Sequence, residues 1–167
     1  MLTGSFASTR YSSPRATQDI DIVISATPMQ LRSLIHDLSG KSYYVDLDSA
    51  LDAHRRESLF NIIDLNTGWK IDLIFRQSTP FGLEEFGRRR KIELLGLQFY
   101  VASPEDVIVA KLEWAKLGES ARQIEDAAAI LRIQENTLDK SYLNKWIGAL
   151  GLGEQWMAAR RIAGCST

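Results

Sequence analysis

The chain has 167 residues, of which 45% are hydrophobic and 25% are charged, and this balance is typical of a globular domain in solution. Its formal net charge of −1 excludes a protein that binds nucleic acid through overall charge, so any basic groove must be local. The single cysteine, Cys165, excludes a disulfide framework, and no apolar stretch reaches the ~18–20 residues of a membrane span. We therefore expect a cytoplasmic protein with no membrane partner.

The first 102 residues alternate between strand and helix patterns. Apolar residues recur at every second position in the strands and at every third or fourth position in the helices. Gly4-Ser5, Thr27-Pro28, Gly40, Asn66-Thr67-Gly68 and Gly96 supply the turn and capping signals between them. The predicted elements are a stub of a first strand at 1–3, a helix at 6–11, a strand at 19–25, a helix from 28 to Gly40, a hairpin of strands 58–65 and 69–75, a helix at 81–89 and a hairpin of strands 91–95 and 97–102.

Helical patterns fill the remainder of the chain. Ser103 is a strong N-cap, Pro104 suits the first helical position, and the acids Glu105 and Asp106 suit the positive end of a helix. One stripe of this helix is predicted to face the core, namely Val107, Ala110, Trp114 and Leu117. Further helices begin at Ser120, at 138–139 and before Trp156. The sequence predicts an α/β (α+β) fold in which a small mixed sheet is flanked by helices, with a core over 1–102 and a helical segment over 103–167 packed on it as one compact unit.

Two acids occupy alternate positions at the head of an apolar strand. Asp19 and Asp21 are expected to point to the same face because side chains in a strand alternate with period 2. Close carboxylates repel each other, so this arrangement indicates a cation between them, and a hard divalent ion prefers oxygen ligands. A third acid, Asp72, belongs to the strand at 69–75. Its face also carries Lys70 and Arg76, so a solvated, charged strand face is the alternative interpretation of Asp72.

Four motifs occur in a characteristic order. They are Gly4-Ser5-Phe6-Ala7, then Arg15-Ala16-Thr17-Gln18-Asp19-Ile20-Asp21, then Ser103-Pro104-Glu105-Asp106 with Lys111-Leu112-Glu113-Trp114, and last Arg122-Gln123-Ile124-Glu125-Asp126. In this combination the chain resembles the DNA polymerase beta-like nucleotidyltransferase superfamily. The bacterial branch related to abortive-infection (AbiEii-type) nucleotidyltransferase toxins is the most similar. In these proteins a helix and a strand precede the Gly-Ser turn, so the resemblance implies that the N-terminal strand is truncated here.

The resemblance implies a role for each matching residue. The catalytic and metal-binding residues would be Asp19, Asp21 and Asp72, of which the first two bridge two Mg²⁺ ions, with Mn²⁺ as an alternative metal. Nucleotide binding would involve Gly4, Ser5, Arg15 and Lys111. Arg122 and Asp126 would line or brace the cleft. From the residues alone, Lys111 is equally a lysine that extends to solvent from an apolar helix face, and Arg122 and Asp126 are equally a surface pair at i, i+4.

The implied activity is transfer of a nucleoside monophosphate from a nucleoside triphosphate to a hydroxyl acceptor. The resemblance suggests a tRNA or protein acceptor in a toxin–antitoxin or phage-defence setting, with a cognate antitoxin as a partner. Two alternatives stay open, which are a binding protein that keeps the fold with weak catalysis and a small-molecule nucleotidyltransferase that modifies an aminoglycoside-like acceptor. The run Arg88-Arg89-Arg90-Lys91 is the one concentrated positive charge in the sequence, and it suits either a helix end or a patch that binds RNA or the acceptor substrate.

Overall fold

Strands extend as far as Val101, and helices occur throughout the chain. A computed structural model describes residues 1–13, 16–94, 96–118 and 120–165. Within those ranges the elements are β1 (Leu2–Thr3), α1 (Gly4–Tyr11), β2 (Asp19–Ile24), α2 (Pro28–Leu38), β3 (Tyr43–Tyr44), α3 (Leu47–Arg56), β4 (Leu59–Asp64), β5 (Lys70–Phe75), α4 (Pro80–Gly87), β6 (Arg90–Leu94), β7 (Leu97–Val101), α5 (Pro104–Gly118), α6 (Ala121–Gln134), α7 (Lys140–Ala149) and α8 (Gly153–Ala163). The predicted α/β class is confirmed.

The strands form one mixed sheet in the order β3-β4-β5-β2-β1-β7-β6. β2 runs parallel to β5 and β1 runs parallel to β7, while the other neighbouring pairs are antiparallel. Both predicted hairpins are confirmed as β4–β5 and β6–β7. β1 has two residues, and it connects the β6–β7 hairpin to the other strands through the register pair of Leu2 with Val101.

Local capping determines where the second and third helices begin. Thr27 accepts a hydrogen bond from the Gln30 backbone N–H, and the Gln30 side chain accepts one from the Thr27 N–H, which together form a capping box at the start of α2. α3 is not predicted from the sequence, although Asp46 caps it by accepting a bond of 2.7 Å from the Ser49 N–H. Its buried face carries alanines, including Ala50, and these small side chains give a weak apolar pattern.

One face of the sheet carries the core of the strand-rich part. The cluster of buried residues consists of Leu31, Ala50, Ala53, Phe60, Ile62, Leu73 and Phe75. Ile22 and Ile24 of β2 pack against this cluster, as the alternation in the sequence predicts. Because neighbouring residues of a strand point to opposite faces, the acids of β2 belong to the other face of the sheet.

The buried face of α5 differs from the predicted one. Trp114 is 53% exposed and Leu117 is 79% exposed, so the predicted stripe through these two residues is wrong. The buried face instead follows Ile108, Leu112 and Ala115. The sequence does not distinguish these stripes well because apolar residues surround the helix at its start, and there periodicity gives no clear direction.

The described chain divides into two compact units. The first comprises residues 1–6 and 16–101 and holds the whole sheet, and the second comprises residues 7–15 and 102–167. The boundary after Val101 lies one residue before the predicted one, and α1 is shared between the units. That the helical segment packs on the core as one unit stays a prediction. Among the helices of the described ranges, none is long and apolar enough to cross a membrane.

Candidate active site

A row of polar side chains crosses four strands on the face opposite the core. Asp21 of β2 is in register with Asp72 of β5, its parallel neighbour. Thr3 of β1 faces Asp21 from the other side, and Asn61 of β4 faces Asp72. Residues opposite each other on neighbouring strands share a face, so these four side chains form one row. The structure therefore brings Asp21 and Asp72 together on adjacent strands.

Asp72 is a buried carboxylate with a partner on each oxygen. The residue is 9% exposed, which makes hydrogen-bond partners necessary because an unpaired buried charge is costly. The Asn61 amide donates to one carboxylate oxygen, and the Lys70 ammonium lies 3.1 Å from the other. The orientation of Asp72 is therefore held from both sides. No role for Asn61 is predicted from the sequence. The one indication of such a role in the sequence is that an amide side chain interrupts an otherwise apolar strand.

The Lys70 ammonium connects two of the predicted catalytic aspartates. Lys70 is in register with Asp19, and its Nζ lies 3.6 Å from Asp19 as well as 3.1 Å from Asp72. The hydrogen bond from Lys70 to Asp72 is the largest cause that raises the pKa of Lys70 above its ordinary value, and the charges of Asp72 and Asp19 add to it while burial opposes it. A single cation thus already neutralises part of the carboxylate cluster.

Gly4 makes room for the Asp21 carboxylate. A Cβ atom added to Gly4 would lie 1.9 Å from Asp21 Oδ2 and 2.5 Å from its Cγ, far inside any allowed contact. Gly4 also has a φ of 62°, in the left-handed region that glycine adopts without strain. It is the first residue of α1, and helix N-termini carry partial positive charge that favours a carboxylate or a phosphate. The structure requires glycine at this position for two independent reasons. Ser5 follows and is half-buried.

The three carboxylates suit a hard cation in their chemistry, since such ions prefer oxygen ligands. Two of the three carboxylates, those of Asp19 and Asp72, lie within 4 Å of the Lys70 ammonium, and Asp21 is in register with Asp72 on the neighbouring strand. Among the described residues, no three His, Cys, Asp or Glu side chains have an arrangement that could hold a metal ion. Binding of a divalent ion to Asp19 and Asp72 would require the Lys70 ammonium to leave them. The magnesium site therefore stays a prediction.

The other predicted residues belong to the second unit or lie outside the described residues. Arg15 is outside them. Lys111 is 5% exposed, and its Nζ lies 2.8 Å from Asp126 Oδ2 on the neighbouring helix α6. The Asp126 side chain is only 12% exposed, so Asp126 forms a buried pair with Lys111 and is not simply part of a surface pair. Arg122 is exposed. Roles in nucleotide binding or cleft support stay predictions for these residues.

Two acids at the start of α5 are buried. Glu105 and Asp106 lie in the first turn of the helix, as predicted, and are 2% and 0% exposed. Asp106 accepts hydrogen bonds from the Ser103 hydroxyl, at 2.6 Å, and from the Tyr142 hydroxyl. Glu105 accepts one from the backbone N–H of Asp139, the N-cap residue of α7. This network ties α5 to α7, which is an adequate structural reason for the motif at 103–106.

The basic run at 88–91 includes a stacked arginine. The Arg89 guanidinium lies 4.4 Å from the ring centre of Phe86 and 4.8 Å from that of Tyr100. This geometry is a cation–π contact on both rings, which anchors the side chain within the first unit. An RNA patch at this run stays a prediction.

Comparison of the chain with protein-family models and with curated proteins finds no match in either set.

Proposed function

We propose that this chain is a metal-dependent nucleotidyltransferase that transfers a nucleoside monophosphate from a nucleoside triphosphate to a hydroxyl acceptor. The observation that carries the proposal is the register of Asp21 with Asp72 on parallel strands, with Asp19 two residues before Asp21 on the same face. A pair of strand acids on its own could simply form a solvated, charged strand face. The close approach of Gly4 to Asp21 argues against that explanation, because the chain leaves no space for a side chain beside the Asp21 carboxylate.

The acids have two tasks in this proposal. Asp19 and Asp21, with Asp72 as a third ligand, would hold the divalent ion, and Asp19, whose side chain is 54% exposed, lies at the more open end of the cluster. A bound divalent ion would supply Lewis-acid stabilisation of negative charge on the α-phosphate and the leaving group. Asp72 accepts the proton of the acceptor hydroxyl, whose oxygen attacks the α-phosphorus while the bond to the pyrophosphate oxygen breaks. The amide of Asn61 keeps the Asp72 carboxylate oriented for this task.

The phosphates of the nucleotide would lie at the Gly4-Ser5 turn. Gly4 allows close approach of the backbone, and the N-terminus of α1 favours an anion. Catalysis of this kind depends mostly on positioning and electrostatics. Following the resemblance of the motifs, we propose a tRNA or protein acceptor, a toxin–antitoxin or phage-defence setting and a cognate antitoxin as partner.

The direct test is transfer of label from each of the four nucleoside triphosphates to total tRNA or to lysate protein, with Mg²⁺ or Mn²⁺. We expect Asp72→Asn to lower the rate on the order of 10²–10⁴-fold, which is typical when a general base is lost. Asp48→Asn is the matched control, since this exposed residue of α3 undergoes the same chemical change away from the row. A folded wild-type chain that transfers no label, or an Asp72→Asn variant with full activity, would overturn the proposal.

A second candidate function is a binding protein that keeps this fold with weak catalysis. One observation favours it, namely the Lys70 ammonium that already compensates Asp19 and Asp72 without a metal. This candidate predicts metal-dependent nucleotide binding, measured by equilibrium dialysis, without transfer to any acceptor.

A further inference from the structure

We propose that Lys70 is an internal competitor of the divalent ion, because its ammonium occupies the carboxylates of Asp19 and Asp72 until a metal displaces it. This inference rests on the proposed function, since it concerns the same carboxylates. It adds a residue that acts on metal occupancy rather than on substrate.

The register makes Lys70 a fixed neighbour of the acids. It lies opposite Asp19 on the adjacent strand and two residues before Asp72 on its own strand, so all three side chains share a face. The ammonium is 3.6 Å from the first carboxylate and 3.1 Å from the second. A divalent ion that takes oxygen ligands from the same carboxylates would lie close to the ammonium. Two positive charges at such a distance repel, so the two cations exclude each other.

The side chains can change partners without loss of the fold. The Lys70 side chain is 38% exposed and that of Asp19 is 54% exposed, so solvent reaches the ammonium. Lysine carries its charge on a flexible stem with rotatable donors, which allows the group to swing away. Asp72 keeps the hydrogen bond from Asn61 on its other oxygen when the ammonium leaves. The Asp72 carboxylate therefore keeps an orientation in which it can bind a metal ion.

It follows that Lys70 determines the metal concentration at which the site fills. With the Lys70 ammonium present, the negative charges of Asp19 and Asp72 are partly neutralised, and the metal ion must compete with the ammonium for these carboxylates. Without it, they form an open anionic cluster. Removal of the positive charge is therefore expected to strengthen metal binding, whereas removal of a lysine elsewhere in the same unit should not.

The test is binding of Mn²⁺ to nucleotide-free protein, measured from the electron paramagnetic resonance signal of the free ion. We expect Lys70→Met to lower the Kd for Mn²⁺ at least tenfold relative to wild type. Lys41→Met is the matched control, since it removes one positive charge from an exposed position, and its Kd should stay within twofold of wild type. Lys70→Arg keeps the charge and should retain most of the competition.

The outcomes separate this inference from the proposed function. If wild type binds Mn²⁺ and Lys70→Met binds no more tightly, the competition is overturned while the metal site stands. If neither protein binds Mn²⁺ at millimolar concentration, the metal site and the competition both fail. Should Lys70→Met not fold, Lys70→Gln keeps a polar side chain of similar reach and is measured in its place. A Kd for Lys70→Gln equal to that of wild type would overturn the inference equally.

Discussion

The contact between Gly4 and Asp21 gives the sharpest prediction about this fold. We expect Gly4→Ala to destabilise the chain for two reasons that can be measured separately. First, alanine at a φ of 62° adopts a left-handed conformation, which costs about 1–2 kcal/mol. Second, its Cβ would lie 1.9 Å from Asp21 Oδ2, so the carboxylate must move by about 1.5 Å to restore an ordinary contact of about 3.5 Å. Such overpacking costs about 1–3 kcal/mol, for a total of about 2–5 kcal/mol.

Gly40→Ala separates the two contributions. Gly40 has a φ of 74°, and a Cβ added to it meets nothing within 4 Å. This variant therefore bears the backbone cost of about 1–2 kcal/mol alone. Urea unfolding of both variants gives the free energy of unfolding, provided that the m-values match that of wild type.

Removal of the carboxylate completes the experiment. In an Asp21→Ala background the contacts to Oδ2 and Cγ are absent and only the contact to Cβ, at 2.9 Å, remains, so Gly4→Ala should cost less than it does in wild type. The double-mutant cycle should give a coupling of about 1–3 kcal/mol between Gly4 and Asp21. If Gly4→Ala and Gly40→Ala cost the same in wild type, the reasoning on the close approach is refuted.

Three further predictions concern paired side chains. Lys111→Met leaves the buried Asp126 carboxylate without the Lys111 ammonium, and it should lower the free energy of unfolding in urea by about 3–5 kcal/mol. Adding Asp126→Leu should restore much of this loss. An unchanged urea midpoint for Lys111→Met would contradict the buried pair. Tyr142→Phe removes a hydrogen bond to the buried Asp106 carboxylate and should cost about 1.5–3 kcal/mol, whereas a loss below 0.5 kcal/mol would contradict its role in the network. The pKa of Lys70 is raised in the folded state, so the charged ammonium stabilises the fold. This contribution is complete at a pH below the pKa of an unfolded lysine, about 10.4, and is lost as the pH rises through the pKa of Lys70 in the folded state. Between pH 9 and about pH 12 the melting temperature should therefore fall more steeply for wild type than for Lys70→Met. Parallel plots of melting temperature against pH would contradict this prediction.

The strand acids could be predicted because their geometry is local. Asp19 and Asp21 share a face by period 2 alone, and the apolar alternation of β2 and β5 identifies the core face. The sequence also assigns Lys70 and Asp72 to one face. It cannot say that the ammonium reaches Asp19, because that contact depends on the register of two strands separated by more than forty residues.

Other features depend on partners that are distant in the chain. The pairing of Lys111 with Asp126 requires the packing of α5 on α6, and the burial of Asp106 requires Tyr142 from α7. For α3, the buried alanines give too little apolar contrast to predict the helix, although the N-cap at Asp46 was a usable signal.

The brevity of β1 has a consequence for local fluctuations. In the described part of the chain, Leu2 and Thr3 form the seam between the β6–β7 hairpin and the other four strands. A seam with so few backbone bonds opens at lower free energy than the long β2–β5 ladder. Amide hydrogen exchange should therefore be faster at Leu2 and Thr3 than at the centre of β5. Because Gly4 directly follows Thr3, which pairs with Asp21, opening of the β1–β2 pair would move the glycine away from the Asp21 carboxylate and transiently loosen the space around it.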